Sequence, residues 1–581
     1  MGKPENILDI VDLSIDFPTS KGVVHAVKNL SLSIPPGRRI GFIGESGSGK
    51  TTSALAVMRM LAAPGRVAGG QILLHGLGQT EILKLSEDEM RRVRLRRIAY
   101  IPQGAMNSLN PVMRVEAQMW DAIVAHEGRI EARELKRRSG IALASVGLGA
   151  HVGRLFPHEL SGGMKQRVCI AMAILLAPDL IIADEPTSAL DVITQKQVMD
   201  TLKAAQEQVG SALILIGHDM GLMAQTVDDL AVLRLGELVE FGPVKQVLEA
   251  PRHPYTRELI SSVPLVGGPS FLETTGQTAP PIKGTTDAPL LQFEGVSKAY
   301  GAVTALHPLS FTLEGKRPQI ISIVGQSGSG KSTMGSLMLG FNTPSAGRVL
   351  YNGQDISGLD SAAALEFRKN VQAVFQDPYA CFNPFYRVEH ALRFPFRRFG
   401  YAQSDAHVQA KMAEACRAVG LDPDLILRRY PHQLSGGQRQ RLIVARALML
   451  SPRLLIADEP VSMVDASLRA TILKNIHDLK EKYGISILYI THDLATAYHV
   501  SDYVIVLYKG RVAEAGPPQQ VIGDPQHPYT RLLIDSIPWP DLARKWGGDA
   551  PIAEDVAALD EIPDMKRTIL RGSVEGFALH A

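Results

Sequence analysis

A glycine-rich turn occurs twice in this chain, in "IGFIGESGSGKTTSALAVMRML" and again in "IISIVGQSGSGKSTMGSLMLG", with Lys50 and Lys331 281 positions apart. Further landmarks follow in the same order in both halves. Gln103 in "YIPQGAMNSLNP" and Gln376 in "VFQDPYACFNP" are 273 apart. Ser161 in "LSGGMKQR" and Ser435 in "LSGGQRQR" are 274 apart, as are Asp184 in "LIIADEPTSALD" and Asp458 in "LLIADEPVSMVD", and His218 and His492. A near-constant offset over ordered landmarks means a duplicated domain. The one change of offset puts about eight extra residues between the first and second landmarks of the first half, where loops absorb insertions cheaply.

Length agrees with duplication, because 581 residues exceed what one hydrophobic core holds. The spacing predicts a first domain over 7–264 and a second over 290–538. Between them, 265–289 ("LVGGPSFLETTGQTAPPIKGTTDAP") is rich in Gly, Pro and Thr with no helical or strand period, and reads as a linker. Residues 539–581 show weak periodicity and read as a partly ordered tail. With 61 basic against 59 acidic side chains, the chain has no global field to attract nucleic acid. Cys169, Cys381 and Cys416 lie outside metal-ligand spacing and suit a reducing cytosol. The opening "MGKPENILDIVDLSIDF" lacks the pattern of a secretory signal and, with Asn6, of a myristoylation site. No run of 18 apolar residues occurs, so no membrane span is expected.

Both turns fit G-x-x-x-x-G-K-[ST], and each follows a β-like run ("RRIGFI", "QIISIV") and opens a helical stretch. Gly44, Gly47 and Gly49, like Gly325, Gly328 and Gly330, let backbone N–H groups wrap a phosphate chain at a helix N-terminus. Lys50 and Lys331 would neutralise β/γ-phosphate charge. Thr51 and Ser332 would offer a hydroxyl to Mg²⁺, with Thr52 and Thr333 completing the cradle. "LIIADEPT" and "LLIADEP" read as buried parallel strands whose carboxylates emerge at the ligand crevice. Asp184 and Asp458 would hold Mg²⁺ through water, and Glu185 and Glu459 would orient or deprotonate the attacking water. His218 and His492 end another apolar strand in each half and suit a γ-phosphate sensor. Gln103 and Gln376 can bind Mg²⁺ or water. Ser161, Gly162 and Gly163, with Ser435, Gly436 and Gly437, make a second glycine-rich turn before a helix, able to present N–H groups to another phosphate.

Taken in order, the phosphate loop, glutamine loop, LSGGQ-type signature, "DEP", "SALD" and histidine resemble an ATP-binding cassette ATPase, over about 7–265 and 290–535. The resemblance implies an α/β fold of two tandem P-loop nucleotide-binding domains. Each would be a RecA-like α/β core with an antiparallel β subdomain and a helical signature subdomain. It also implies an intramolecular cassette dimer that binds ATP and Mg²⁺ at two sites, each completed by the other half's signature: Ser435 and Gly437 for the first, Ser161 and Gly163 for the second. Asp191 and Asp465 would link the sites. Tyr300, and less clearly Phe17, would stack on adenine. The departures, "SMVD" for "SALD" and Met164 for glutamine, remove no catalytic group, so both sites are expected to turn over.

A last repeat, "PRHPYTRELISSVP" from Pro251 and "PQHPYTRLLIDSIP" from Pro525, is similar to the segment that follows each cassette in the oligopeptide/dipeptide/nickel importers. The residues themselves specify only a Pro-led short amphipathic helix docking on its domain. The resemblance implies two transmembrane permease partners, touching near the glutamine loops, and a periplasmic or lipid-tethered solute-binding protein. It implies a peripheral place on the cytoplasmic face of a bacterial inner membrane and no nucleic acid. Relatives can hold an iron–sulfur cluster in a cysteine-rich extension, but the cysteines here sit elsewhere, so no cluster is expected. The alternative is a tandem-cassette ATPase acting on ribosomes or nucleic acid, whose long charged linkers or zinc-binding cysteines this chain lacks. Cargo specificity is not written in such a subunit.

Overall fold

The computed structural model describes residues 5–580 except 20–21, 77, 105–107, 189, 265, 268–287, 378–379, 402–403, 462–465, 545, 548–564 and 566. The linker reading therefore falls largely outside the described residues, and so does Asp465. Two compact units divide the chain: Met1–Val263 with Asp535–Glu554, and Pro264–Ile534 with Asp555–Ala581.

The first unit is built on a six-stranded sheet ordered Glu237–Pro243, Asp229–Arg234, Arg39–Ile43, Ala212–Gly217, Leu180–Asp184, Ile98–Ile101. All neighbours are parallel except the first pair. Its central runs, such as "LIIAD" and "ALILIG", are buried throughout, as strands covered on both faces must be. A four-stranded antiparallel sheet stands beside it, with Leu8–Thr19 between Gly22–Ile34 and Arg66–Leu74. Leu8, Ile10, Leu13 and Ile15 face the core. The step from Ile10 to Leu13 breaks simple alternation, and a bulge with Asp12 at φ 48° restores the inward face. A helical group, including Val115–Glu127, Ala132–Ser145 and Gly162–Ile174, packs around Met119, Ile123, Leu143 and Ile170.

The second unit repeats this plan. Ile320–Val324 lies between Ser486–Thr491 and Tyr503–Tyr508, with Leu454–Asp458 and Val371–Val374 beyond the former. Equivalent pairings locate the insertion. Leu74 and Tyr351 pair with Leu8 and Leu291, while Ile98 and Val371 pair with Leu180 and Leu454. The offset thus falls from 281 at the lysines to 277 and then 273, so the extra residues are shared between two loops.

Parts of the tail form regular structure. Ile569–Leu570 adds a strand to the larger sheet beside Arg511–Gly516, and Phe577–His580 pairs with Val303–Leu313. Phe577 is buried against Phe311 and Tyr503. Earlier in the tail, the carbonyls of Trp539, Asp541 and Arg544 accept from the Gln225 side chain of the first unit. Among the described residues no helix is long and apolar enough to cross a membrane.

Candidate active sites

Each site is built where parallel strands end and a helix begins. In the first unit, Arg39–Ile43 runs into the phosphate loop and the helix Lys50–Val57. Gly44 has φ 151°, and a Cβ there would lie 2.1 Å from the Leu233 carbonyl oxygen, so only glycine fits. The second loop has the same constraint at Gly325, where a Cβ would meet the Leu507 carbonyl at 2.4 Å. Lys50 is buried, its Nζ donating to the carbonyls of Gly44 at 2.6 Å and Glu45 at 2.8 Å. Lys331 makes the same bonds to Gly325 and Gln326, at 2.6 and 2.8 Å. Two carbonyls thus hold each ammonium at the mouth of a helix N-terminus.

The carboxylates follow at the end of the next strand but one. Thr51 Oγ1 donates to Asp184 Oδ1 at 3.2 Å. The Tyr100 hydroxyl donates to Asp184 Oδ2 at 3.1 Å. Burial nevertheless pushes the Asp184 carboxyl above its ordinary range. Asp458 is pushed up to about 6, first by burial and then by the charge of Glu459. No tyrosine helps it, because Ala373 holds the register position of Tyr100. Tyr100 is a residue the sequence reading missed. It has no counterpart at the repeat offset, so periodicity could not flag it.

Glu185 and Glu459 have left-handed backbones, φ 46° and 48°, unusual for a side chain of this kind. Each is pinned there by its own N–H, which donates to Ile216 at 2.9 Å and to Ile490 at 2.8 Å. That strained turn aims the carboxylate between two partners. Gln103 Nε2 donates to Glu185 Oε2 at 2.7 Å, and His218 Nδ1 lies 3.2 Å from Oε1. Gln376 and His492 grip Glu459 in the same way, at 2.7 and 3.0 Å. Burial alone would raise both glutamates, but the histidine beside each carries it below its ordinary value. In turn, Glu459 raises the half-buried His492 against the opposing effect of burial. The geometry therefore holds an ionised carboxylate within the electrostatic reach of Lys50 in one site and of Lys331 in the other.

Other residues singled out from sequence sit as follows. Ser161 and Ser435 are exposed N-caps of the signature helices Gly162–Ile174 and Gly436–Leu448. Gln438 closes a reciprocal capping box with Ser435, which Met164 cannot do for Ser161. A Cβ on Gly163 would lie 2.6 Å from Thr194. Asp191 caps its own helix, accepting from the backbone and hydroxyl of Thr194 at 3.1 Å each. Phe17 and Tyr300 stand at equivalent register, paired with Val24 and Val303 near the hairpin ends. Tyr300 is exposed, with Lys298 over its ring, whereas Phe17 is half-buried against the core and Gly65.

The donor set suits Mg²⁺ only in company with a nucleotide. Each site offers one aspartate, buried in the first and half-buried in the second, and one hydroxyl residue, hard oxygen donors of the kind that hold this ion beside phosphates. Among the described residues no group of three or more His, Cys, Asp or Glu could hold a metal independently.

Known proteins resemble this chain over most of its length. The ABC transporter family model matches residues 27–188 and 306–462. The model of the oligopeptide/dipeptide transporter C-terminal region matches 239–287 and 513–567. The glutathione import ATP-binding protein GsiA of Salmonella paratyphi A is 38% identical over 93% of this chain and 90% of its own. Its namesake in Escherichia coli K12 is also 38% identical, over 93% and 91%. Among solved structures, the ATP-binding cassette MJ0796 in a dimeric post-hydrolysis state with ADP and Pi matches 41% of this chain and 98% of its own, at 25% identity and TM-score 0.37. With two cassettes and two such C-terminal regions on one polypeptide, the chain belongs to the ATP-binding ATPases of the ABC transporter family, in the oligopeptide/dipeptide import branch.

Proposed function

We propose that the chain energises uptake of glutathione, a short peptide or a related small solute through two transmembrane permeases, from the cytoplasmic face of a bacterial inner membrane. A periplasmic or lipid-tethered solute-binding protein would deliver the cargo. The observation that carries the catalytic part is the matched pair of strained glutamates, each gripped by a histidine and a glutamine. In this reading the loop amides and Lys50 or Lys331 bind the β- and γ-phosphates of ATP. Glu185 or Glu459 takes the proton of the attacking water, and its low pKa keeps it ready to do so at neutral pH. His218 or His492 steadies that carboxylate and faces the charge developing on the γ-phosphate. Thr51 with Asp184, and Ser332 with Asp458, would hold Mg²⁺, which supplies charge neutralisation across the phosphates. Tyr300 and Phe17 are proposed to stack on adenine. Each site is proposed to be completed by the other half's signature, Ser435 or Ser161, with Asp191 and Asp465 linking the two.

Exposed apolar side chains just beyond each glutamine loop support permease docking there. Val112 is 80% and Phe385 84% exposed, each nine residues past the glutamine of its half. The GsiA relatives and the C-terminal region found in each half stand with import rather than with ribosome-acting cassettes. The test is reconstitution of the chain with its permeases and binding protein in lipid vesicles. ATP-driven accumulation of labelled glutathione or dipeptide supports the reading. Failure of every thiol and peptide cargo in an ATP-hydrolysing complex would overturn the cargo assignment.

A further inference from the structure

The HPYT segments have so far only a docking role. Their chemistry goes further, on the reading of the phosphate loops given above. His253 caps the helix Pro254–Ser261, its Nδ1 accepting from Tyr255 N at 3.2 Å, and Pro254 opens the first turn. The Glu240 carboxylate accepts from the N–H groups of Arg252 and His253 at 2.8 and 3.0 Å, fixing the approach to the helix. Glu514 does the same for Gln526 and His527, and His527 Nδ1 accepts from Tyr529 N at 3.0 Å. Both copies thereby aim one tyrosine inward. Tyr255 is 3% and Tyr529 0% exposed.

Each hydroxyl ends on the same atom of its phosphate loop. Glu45 N–H donates to the Tyr255 hydroxyl at 3.0 Å, and Gln326 N–H donates to the Tyr529 hydroxyl at 2.9 Å. The carbonyls of those same residues hold Lys50 Nζ and Lys331 Nζ, at 2.8 Å each. One residue of the loop is thus tied at both ends, to the extension through its N–H and to the phosphate-binding lysine through its C=O. The rings are wedged against the strand end that limits the loop glycines. The Arg234 guanidinium lies 4.8 Å from the Tyr255 ring centroid, and Tyr508 packs 4.5 Å from Tyr529. Phenylalanine would pack there as well, so the hydroxyl is what the motif preserves in both halves.

We infer that Tyr255 and Tyr529 are positioning residues of the two ATP sites: the extension after each cassette holds the first turn of the phosphate loop, and through it the lysine, in the shape that receives triphosphate. The test compares Tyr255→Phe and Tyr529→Phe with Leu259→Ala, a change buried in the same helix as Tyr255 that leaves the hydroxyl in place. All are made in the full chain. A fluorescent ATP analogue reports affinity, steady-state hydrolysis gives KM and kcat, and thermal unfolding gives stability.

Each Tyr→Phe change is expected to weaken nucleotide binding at its own site about 2- to 10-fold, the worth of one net hydrogen bond, mostly in KM. Leu259→Ala is expected to lower Tm more, with affinity within about twofold of the parent. Tyr→Phe variants that lose Tm while KM is unchanged would overturn the inference, as would a Leu259→Ala that raises KM as much. Lys50→Ala and Lys331→Ala separate the levels. If ATP binding survives both, the phosphate-loop reading itself fails; if they abolish it while Tyr→Phe does nothing, only the tyrosine role fails.

Discussion

Replacing Asp458 with asparagine should stabilise the second cassette while disabling its chemistry. The carboxyl is pushed up to about 6 from an ordinary 3.8 because burial penalises its charged form and Glu459 repels it. The folded state therefore favours the neutral acid. Its penalty appears as pH rises above about 3.8 and is complete above about 6. A shift of some two units corresponds to about 3 kcal/mol at pH 7.5. Because Asp458 is partly exposed, discounting for solvent leaves roughly 2 kcal/mol. For a unit of this size that is a rise of roughly 4–8 °C in Tm for Asp458→Asn. Scanning calorimetry of the full chain checks it. By pH 5 about half of the gain should be gone, since the parent is then mostly neutral. ATP hydrolysis at this site should fall at every pH, because the neutral amide is a poor Mg²⁺ partner. A variant no more stable than the parent at pH 7.5, or equally stabilised at pH 5, would refute the reasoning.

Three further outcomes follow from the same geometry. Glu185→Gln and Glu459→Gln, made separately, should each slow hydrolysis at their own site by roughly 10²–10⁴-fold while nucleotide binding persists; a single change that leaves turnover untouched would mean the sites are not equivalent. Tyr100→Phe removes the hydroxyl that donates to Asp184, so that carboxyl should rise further. With the second site silenced by Glu459→Gln, the acid limb of the pH–rate profile should then move toward neutral. Gly44→Ala sets a Cβ 2.1 Å from the Leu233 carbonyl, and ATP-analogue binding at that site should be lost with about 2 kcal/mol or more of stability.

Much of the site was legible because short-range rules produce it. Glycines mark the loop, apolar runs mark the buried parallel strands, and a carboxylate pair marks their ends. What escaped depends on contacts between distant segments. Tyr100 is one aromatic among apolar strand residues, and only the fold shows that it faces Asp184. The left-handed turn at Glu185 and Glu459 occurs where glycine or asparagine would be the natural guess, and an N–H bond to the next strand imposes it. The hydroxyls of Tyr255 and Tyr529 meet loops about 200 positions upstream. Phe577–His580 becomes a strand by pairing with Val303–Leu313, a long-range partner its own short sequence does not specify.

The two ATP sites are proposed to drive transport through membrane partners. The most direct measurement is to purify the tagged full chain from gently solubilised membranes, identify what accompanies it, and assay ATP hydrolysis in that complex. Two multi-span proteins are expected, with turnover that falls with either Glu185→Gln or Glu459→Gln. Ribosomal subunits, nucleic acid or no partner at all would contradict that proposal.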